Sequence, residues 1–264
     1  MADYDLLGNI AIIKSEKNGR KKKRAKKLGE AKNLLMMPNV KTVLEKVSRV
    51  KGRLRNIQVR HLAGEKTTVA LYKENSCTFT FDVATCYFSP RLANDRKEIA
   101  TKISKKNNVL CLFAGVGAYP IVISKIARPK KIVAIEISRA CCQYFKKNLA
   151  LNKISENDIE VIQGDVTKKI NKDFLKKYRN FDIIVMTRPN LKASFLSSAL
   201  LAAKKGARIF YNGFCHENDL NKMIISLEKE ARILRKNIKI ASVQKIGDIA
   251  PYKFRYRIEI IVKN

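Results

Sequence analysis

The sequence predicts an α/β protein, with a Rossmann-like domain preceded by a smaller mixed α/β domain. Three observations carry the prediction. After about residue 88, apolar strand-like runs alternate with amphipathic helical stretches, the pattern of βαβ units and a mostly parallel sheet. One of those runs, Val109 to Phe113, leads directly into the glycine turn Gly115-Val116-Gly117. Before residue 88, short β-branched segments dominate instead. The division is therefore drawn as residues 1–88 and 89–264.

In chain order, Gly8 to Ile13 reads as a short strand. The tract from Arg20 to Lys27 is basic at every position except Ala25, and is expected to begin in a loop and lead into a helix. Its functional reading is a phosphate-gripping arm, and its plainer reading a solvated loop. Val40 to Leu44, Thr67 to Tyr72 and the loosely alternating Thr78 to Val83 complete the small unit. In the second domain, strands are expected at Val109 to Phe113, Lys131 to Ile135, Ile159 to Gln163 and Phe181 to Met186. Helices are expected from about Tyr119 and over Arg139 to Leu149. The uncharged stretch from Val109 to Ser124 is broken by Gly115, Gly117 and Pro120, so it reads as strand, turn and helix start and not as a membrane span.

Composition narrows the function classes. At 264 residues and 46% hydrophobic content, a sizeable core can form and wholesale disorder is excluded. Lys and Arg number 55 against 23 acidic residues, a formal charge of +32. The excess is +11 over residues 1–88 and +21 over the remainder, so it covers the whole body. Such a field attracts a polyanion, and nucleic acid leads over a merely lysine-rich surface. The six cysteines form no C-x-x-C pair and the chain has only two histidines, so no metal site is expected and most cysteines read as small buried hydrophobes. Asp3 and Asp5 stand where a secretory signal would need positive charge, and a cytoplasmic protein without membrane attachment is expected.

The chemistry begins at the glycine turn, where missing side chains let a ligand approach the backbone. The next strand ends in Glu136, nineteen residues after Gly117, where a carboxylate can accept from both ribose hydroxyls of an adenosine. A third strand ends at Gly164-Asp165, and Asp165 can receive the adenine amino group. A dinucleotide fold would want a third glycine for a pyrophosphate, but Ala118-Tyr119-Pro120 follows. S-adenosylmethionine has no phosphate to place there, which favours a Rossmann-like methyltransferase. The plainer readings are a solvated strand-end carboxylate for Glu136 and a helix cap for Asp165.

At this point the residues carry a resemblance. The run Tyr87-Phe88-Ser89-Pro90-Arg91-Leu92-Ala93-Asn94-Asp95-Arg96, followed by Phe113-Ala114-Gly115-Val116-Gly117, resembles the archaeal and eukaryotic tRNA guanine-37 N1-methyltransferase family. Gly8-Asn9-Ile10-Ala11-Ile12, Thr42-Val43-Leu44, Gly52-Arg53-Leu54-Arg55, Leu62-Ala63-Gly64-Glu65, Leu151-Asn152-Lys153 and Ala250-Pro251-Tyr252 extend it in order over nearly the whole chain.

The resemblance implies transfer of a methyl group from S-adenosylmethionine to N1 of the guanosine 3′ of the tRNA anticodon, by a monomer with a small tRNA-handling domain. Because N1 carries a proton at neutral pH, transfer needs a base for it and a donor for the charge growing on the neighbouring carbonyl oxygen. The family's base falls on Asp95 and its supporting arginine on Arg55. Tyr87, Arg91 and Arg96 fall on residues that shape the pocket and contact cofactor or tRNA. Phe113, Gly115, Gly117, Glu136, Asp165 and Val166 fall on the cofactor site, and Thr187, Arg188 and Pro189 on the loop lining the target base. Locally, Asp95 and Arg96 also read as an exposed helix-start pair, and Arg55 as one phosphate contact among many.

Departures from the family pattern keep alternatives open. Asp95 is one methylene shorter than the family's Glu, Cys111 replaces an acidic residue, and Met186-Thr187-Arg188-Pro189 stands where Asn-Leu-Pro is usual. Thr187 cannot offer the donors of an amide. The related aminocarboxypropyltransferases of the wybutosine pathway, and a methyltransferase acting on a later tricyclic guanosine, are the next readings. A basic tRNA-binding scaffold without catalysis is the reading of another class.

Overall fold

The structure is a computed structural model that describes residues 3–14, 21–48, 52–178, 180–187 and 193–264, with the side chains of 21–24 outside the description. The amino-terminal part consists of β1 (Tyr4–Leu7), β2 (Ile10–Lys14), α1 (Lys21–Leu35), β3 (Thr42–Lys46) and β4 (Val59–Gly64), in a four-stranded sheet of order β1-β2-β3-β4. β2 runs parallel to β3, and α1 makes the crossover. Ile10 to Ile13 are all buried because this sheet is covered on both faces. Ala11, Ile13 and Val43 meet Ala31 and Leu34 of α1, while Ile10, Ile12 and Leu44 join the main core. The expected phosphate-gripping arm is helical from Lys21; Arg20 lies outside the described residues, and the half-buried Lys27 is held in an ion pair with Glu45 at 2.7 Å.

A hairpin of β5 (Val69–Glu74) and β6 (Cys77–Asp82) follows. Asn75 and Ser76 at its tip both have positive φ, 47° and 58°, the geometry whose twist suits a two-residue hairpin loop. Phe79 and Phe81 alternate inward from β6 into the main core.

The larger sheet is built from β7 (Asn108–Leu112), β8 (Lys131–Glu136), β9 (Ile159–Gln163), β10 (Phe181–Met186), β11 (Ala203–His216), β12 (Ile238–Ala250) and β13 (Lys253–Val262), in the order β12-β13-β11-β10-β7-β8-β9. The strands from β9 to β11 across the sheet are parallel, and β13 is antiparallel to both its neighbours. The strands expected at 109–113, 131–135, 159–163 and 181–186 form in place. Before β7, a short 3-10 turn at Pro90–Leu92 leads into α2 (Ala93–Thr101). The connections are α3 (Ala118–Ala127), α4 (Arg139–Leu151), α5 (Val166–Lys169), α6 (Lys172–Lys177), α7 (Leu196–Ala202) and α8 (Leu220–Ile233).

Strand alternation divides the core. Val109 and Cys111 face α2, α3 and α4, whereas Leu110 and Leu112 face α5 to α8. The β5–β6 hairpin docks on the first of these layers. Asn152 Oδ1 accepts from Thr78 N–H at 2.8 Å, its Nδ2 donates to Thr78 O at 2.6 Å, and Asn148 Oδ1 accepts from Thr80 N–H at 2.7 Å. On the opposite edge, Leu71 N–H donates to Asn9 Oδ1 at 2.7 Å. Five cysteines are buried and Cys215 is partly so. Among the described residues, no helix is long and apolar enough to cross a membrane, and no group of three or more His, Cys, Asp or Glu is placed to hold a metal.

Candidate active site

A cleft opens at the carboxyl edge of the parallel strands, where α/β sheets bind ligands. Gly115 lines its inner wall, and both it and Gly117 turn the chain there with positive φ, 58° and 89°. A Cβ on Gly117 would stand 2.2 Å from the Phe145 ring, so packing alone demands glycine there. A Cβ on Gly115 would meet nothing within 4 Å, which leaves open space beside that backbone.

The backbone of this turn also orients Glu136. Gly115 N–H donates to Oε2 at 2.8 Å and Ser138 N–H to Oε1 at 2.8 Å, with Ile137 N–H adding to the backbone bonds, which fixes the carboxylate at the cleft wall with acceptor capacity left for a ligand. Burial pushes the Glu136 carboxyl above its ordinary pKa, against those backbone bonds. Asp165 caps α5, its Oδ1 accepting from Thr167 N–H at 2.9 Å and from the Thr167 hydroxyl at 2.8 Å. Its Oδ2 is held by Arg53 at 2.6 Å, and that bond keeps the carboxyl below the usual range. Val166 follows, buried in the cleft wall. Phe113 and Phe195 both have left-handed backbones, φ 62° and 60°, and meet edge to face at 5.0 Å.

The other end of the cleft is cationic and aromatic. The Arg55 guanidinium lies 3.6 Å from the centre of the Tyr87 ring, and Arg255 Nη2 donates to the Tyr87 hydroxyl at 3.4 Å. Burial raises the Tyr87 pKa, but the charges of Arg255 and Arg55 outweigh it and hold the phenol below its ordinary value. Thr187 lines the cleft with its hydroxyl donating to Phe113 O at 2.9 Å, so the side chain faces a ligand as an acceptor. Arg188 and Pro189 lie outside the described residues.

Asp95 and Arg96 are not an exposed pair: they are 4% and 2% exposed. Arg96 lines the cleft between Phe88 and Tyr119, but its guanidinium is clamped by Glu74 of β5 and donates to Ser89 O at 3.0 Å. Asp95 lies behind the lining. Arg257 Nη1 donates to its Oδ1 at 2.5 Å and the Tyr119 hydroxyl to its Oδ2 at 2.5 Å. Burial raises the Asp95 pKa while Tyr119 and Arg257 oppose the rise. Arg91 is not brought to the cleft; it is exposed and bridges to Asp5 of β1 at 3.0 Å.

Residues 70–241 match the sequence profile of the TRM5/TYW2 methyltransferase domain, and residues 1–67 that of the TYW2 N-terminal domain. The chain belongs to the TRM5/TYW2 methyltransferase family. It is 34% identical over 216 residues to the tRNA (guanine(37)-N(1))-methyltransferase Trm5b of Pyrococcus abyssi, covering 82% of this chain but only 61% of that one. It is 30% identical over 302 aligned residues to the tRNA (guanine(37)-N(1))/4-demethylwyosine(37)-methyltransferase Taw22 of Nanoarchaeum equitans, covering 97% and 98% of the two chains. A solved complex of aTrm5 with tRNALeu superposes with a TM-score of 0.85 at 28% identity, over 99% of this chain and 72% of that one.

In this TRM5/TYW2 family chain, sequence reasoning missed Arg53, Tyr119, Phe195, Asn212 and Arg255 of the cleft, and Arg257 behind it. A signal existed for two of them. Arg255, Arg257 and Glu259 alternate along one face of β13, and all three are buried. Charges at period two in an otherwise apolar strand mark a polar network inside the fold.

Proposed function

We propose that the protein transfers a methyl group from S-adenosylmethionine to N1 of guanosine 37 in tRNA. The observation that carries this reading is one continuous cleft with adenosine-compatible carboxylates at one end and a cationic, aromatic pocket at the other. S-adenosylmethionine supplies an electrophilic methyl on a positively charged sulfur. Glu136 would accept from the ribose hydroxyls, Asp165 from the adenine amino group once Arg53 yields, and the open space at Gly115 admits the ligand beside the backbone.

The residues 1–88 and 89–264 would divide tRNA handling from chemistry, in a cytoplasmic monomer without a metal. The target base must leave its stack to reach the cleft, which Tyr87 and Arg55 line together. Arg55 donates to O6 as negative charge grows there. Tyr119 forms part of the cleft wall and already donates to Asp95. Tyr119 takes the N1 proton on its hydroxyl oxygen as it passes its own proton to Asp95, which ends protonated.

One observation favours a second substrate. Taw22, whose name includes 4-demethylwyosine, is matched over nearly its whole length, so a tricyclic guanosine is the alternative acceptor in the same pocket. Mass spectrometry of nucleosides from tRNA incubated with protein and S-adenosylmethionine tests both, using a guanosine-37 transcript and tRNA carrying 4-demethylwyosine. Methyl on guanine N1 is the expected result. Methyl only on the tricyclic base selects the second reading, and an aminocarboxypropyl adduct or tRNA binding without any adduct overturns both.

A further inference from the structure

We infer that Arg255 reads the O6/N7 edge of the target guanine, as a specificity-determining residue at the far end of the cleft. The inference rests on the proposed function and begins with an unpaired donor. Arg255 is 6% exposed, and its Nε–H is buried with no hydrogen-bond partner among the described residues. A buried cation with an idle donor is costly, and the cleft it lines is where a partner can arrive.

Position selects the partner. Along the sheet, the cleft residues run from Asp165 after β9, through Glu136 on β8, Gly115 after β7, Thr187 after β10 and Asn212 on β11, to Arg255 on β13. A cofactor seated on Glu136 and Asp165 occupies the first end, so the last end is left for the incoming base. Within that end only a group inserted deeply can reach a guanidinium so little exposed. An extruded nucleotide inserts its base and keeps its phosphates towards the mouth.

Chemistry then selects the edge. Arginine pairs bidentately with guanine O6 and N7, whereas adenine presents a donor in place of O6. Arg255 and Arg55 stand about the same Tyr87, one at its hydroxyl and one over its ring. They can therefore approach O6 from its two sides, Arg55 beside N1 and Arg255 beside N7. The Phe214 ring, 5.0 Å from the Arg255 guanidinium, adds a cation–π contact to it.

The test is binding of full-length tRNA carrying guanosine or 7-deazaguanosine at position 37, measured with S-adenosylhomocysteine present so that no transfer is needed. Wild type should bind the 7-deaza tRNA about 10-fold more weakly, in the range of one bidentate pair. Arg255→Met should bind the guanosine tRNA about 10-fold more weakly and no longer distinguish the two. Arg255→Lys, which keeps the charge, should also lose the distinction. S-adenosylmethionine affinity within twofold of wild type shows that each variant is folded. Indifference of wild type to N7, or discrimination retained by either variant, overturns the inference. A selective loss of cofactor affinity also overturns it, because Arg255 would then be holding the methionyl carboxylate. Absence of methyl transfer by wild type would count against the proposed function alone, since the binding comparison stands without it.

Discussion

The Tyr119 hydroxyl donates to Asp95 Oδ2 across 2.5 Å, inside the protein and beneath the cleft wall. Arg257 Nη1 meets the other oxygen at the same distance, and Arg257 also reaches Glu98 at 2.7 Å. The Asp95 carboxylate is thus tied to α3 and to β13, and it communicates with the cleft through a tyrosine.

If Asp95 takes the N1 proton, its ionised form is required. Burial raises its pKa above 3.8, so the acid limb of the transfer rate should lie above that pH. Asp95→Asn should abolish the rate with tRNA affinity changed by less than about twofold, and Tyr119→Phe should lower it about 100-fold by cutting the link. A pH–rate profile of the three proteins checks this; an undiminished Asp95→Asn rate removes Asp95 as the base.

Arg257→Met leaves Asp95 buried without its cation. Both partners are 3% exposed, and loss of one member of such a pair costs roughly 3–5 kcal/mol. In the variant the folded protein holds the Asp95 proton to a higher pH than the unfolded chain. Its contribution is therefore complete below the unfolded pKa and lost as pH rises through the folded one. Urea unfolding should show a smaller deficit near pH 5 than at pH 7.5.

Under the proposed function, Arg53 competes with the adenine amino group for Asp165 Oδ2. Its side chain is 57% exposed, so the bridge itself is worth only about 0–1 kcal/mol. Arg53→Ala should tighten S-adenosylmethionine binding by up to about fivefold, and added salt should do the same for wild type. Calorimetric titration reads both, and a weakened variant would mean that Arg53 contacts the cofactor directly.

The two glycines of the turn should respond differently to alanine. Gly117→Ala drives a methyl into Phe145 and should lower thermal stability severely. Gly115→Ala has open space and carries only the left-handed penalty, roughly 1–2 kcal/mol, yet should weaken cofactor binding more than 10-fold because the methyl enters the cleft. Melting curves with and without S-adenosylmethionine separate the two effects.

Much of the cofactor end was legible from local signals. An apolar run, two glycines and a carboxylate at the end of the following strand are all close in sequence, and parallel pairing brings such strand ends to one edge. The surroundings of Asp95 were not legible, because its partner Arg257 is 162 residues away and only the closing of β13 onto β11 brings the two together. Arg91 illustrates the converse. Its motif position suggested the pocket, but the docking of β1 draws it to Asp5 instead.

Asparagine side chains bond to both outer edges of the β5–β6 hairpin: Asn148 and Asn152 along β6, and Asn9 at Leu71 of β5. A helix carrying amides one turn apart thereby imitates the hydrogen-bonding rim of a neighbouring strand. The consequence concerns self-association. A two-stranded ribbon with free rims is a template on which a second molecule can add a strand and seed aggregation. Here the amides that fasten the ribbon in place also remove the template, so Asn148→Leu or Asn152→Leu would expose a sticky rim at the same moment as it loosens the ribbon.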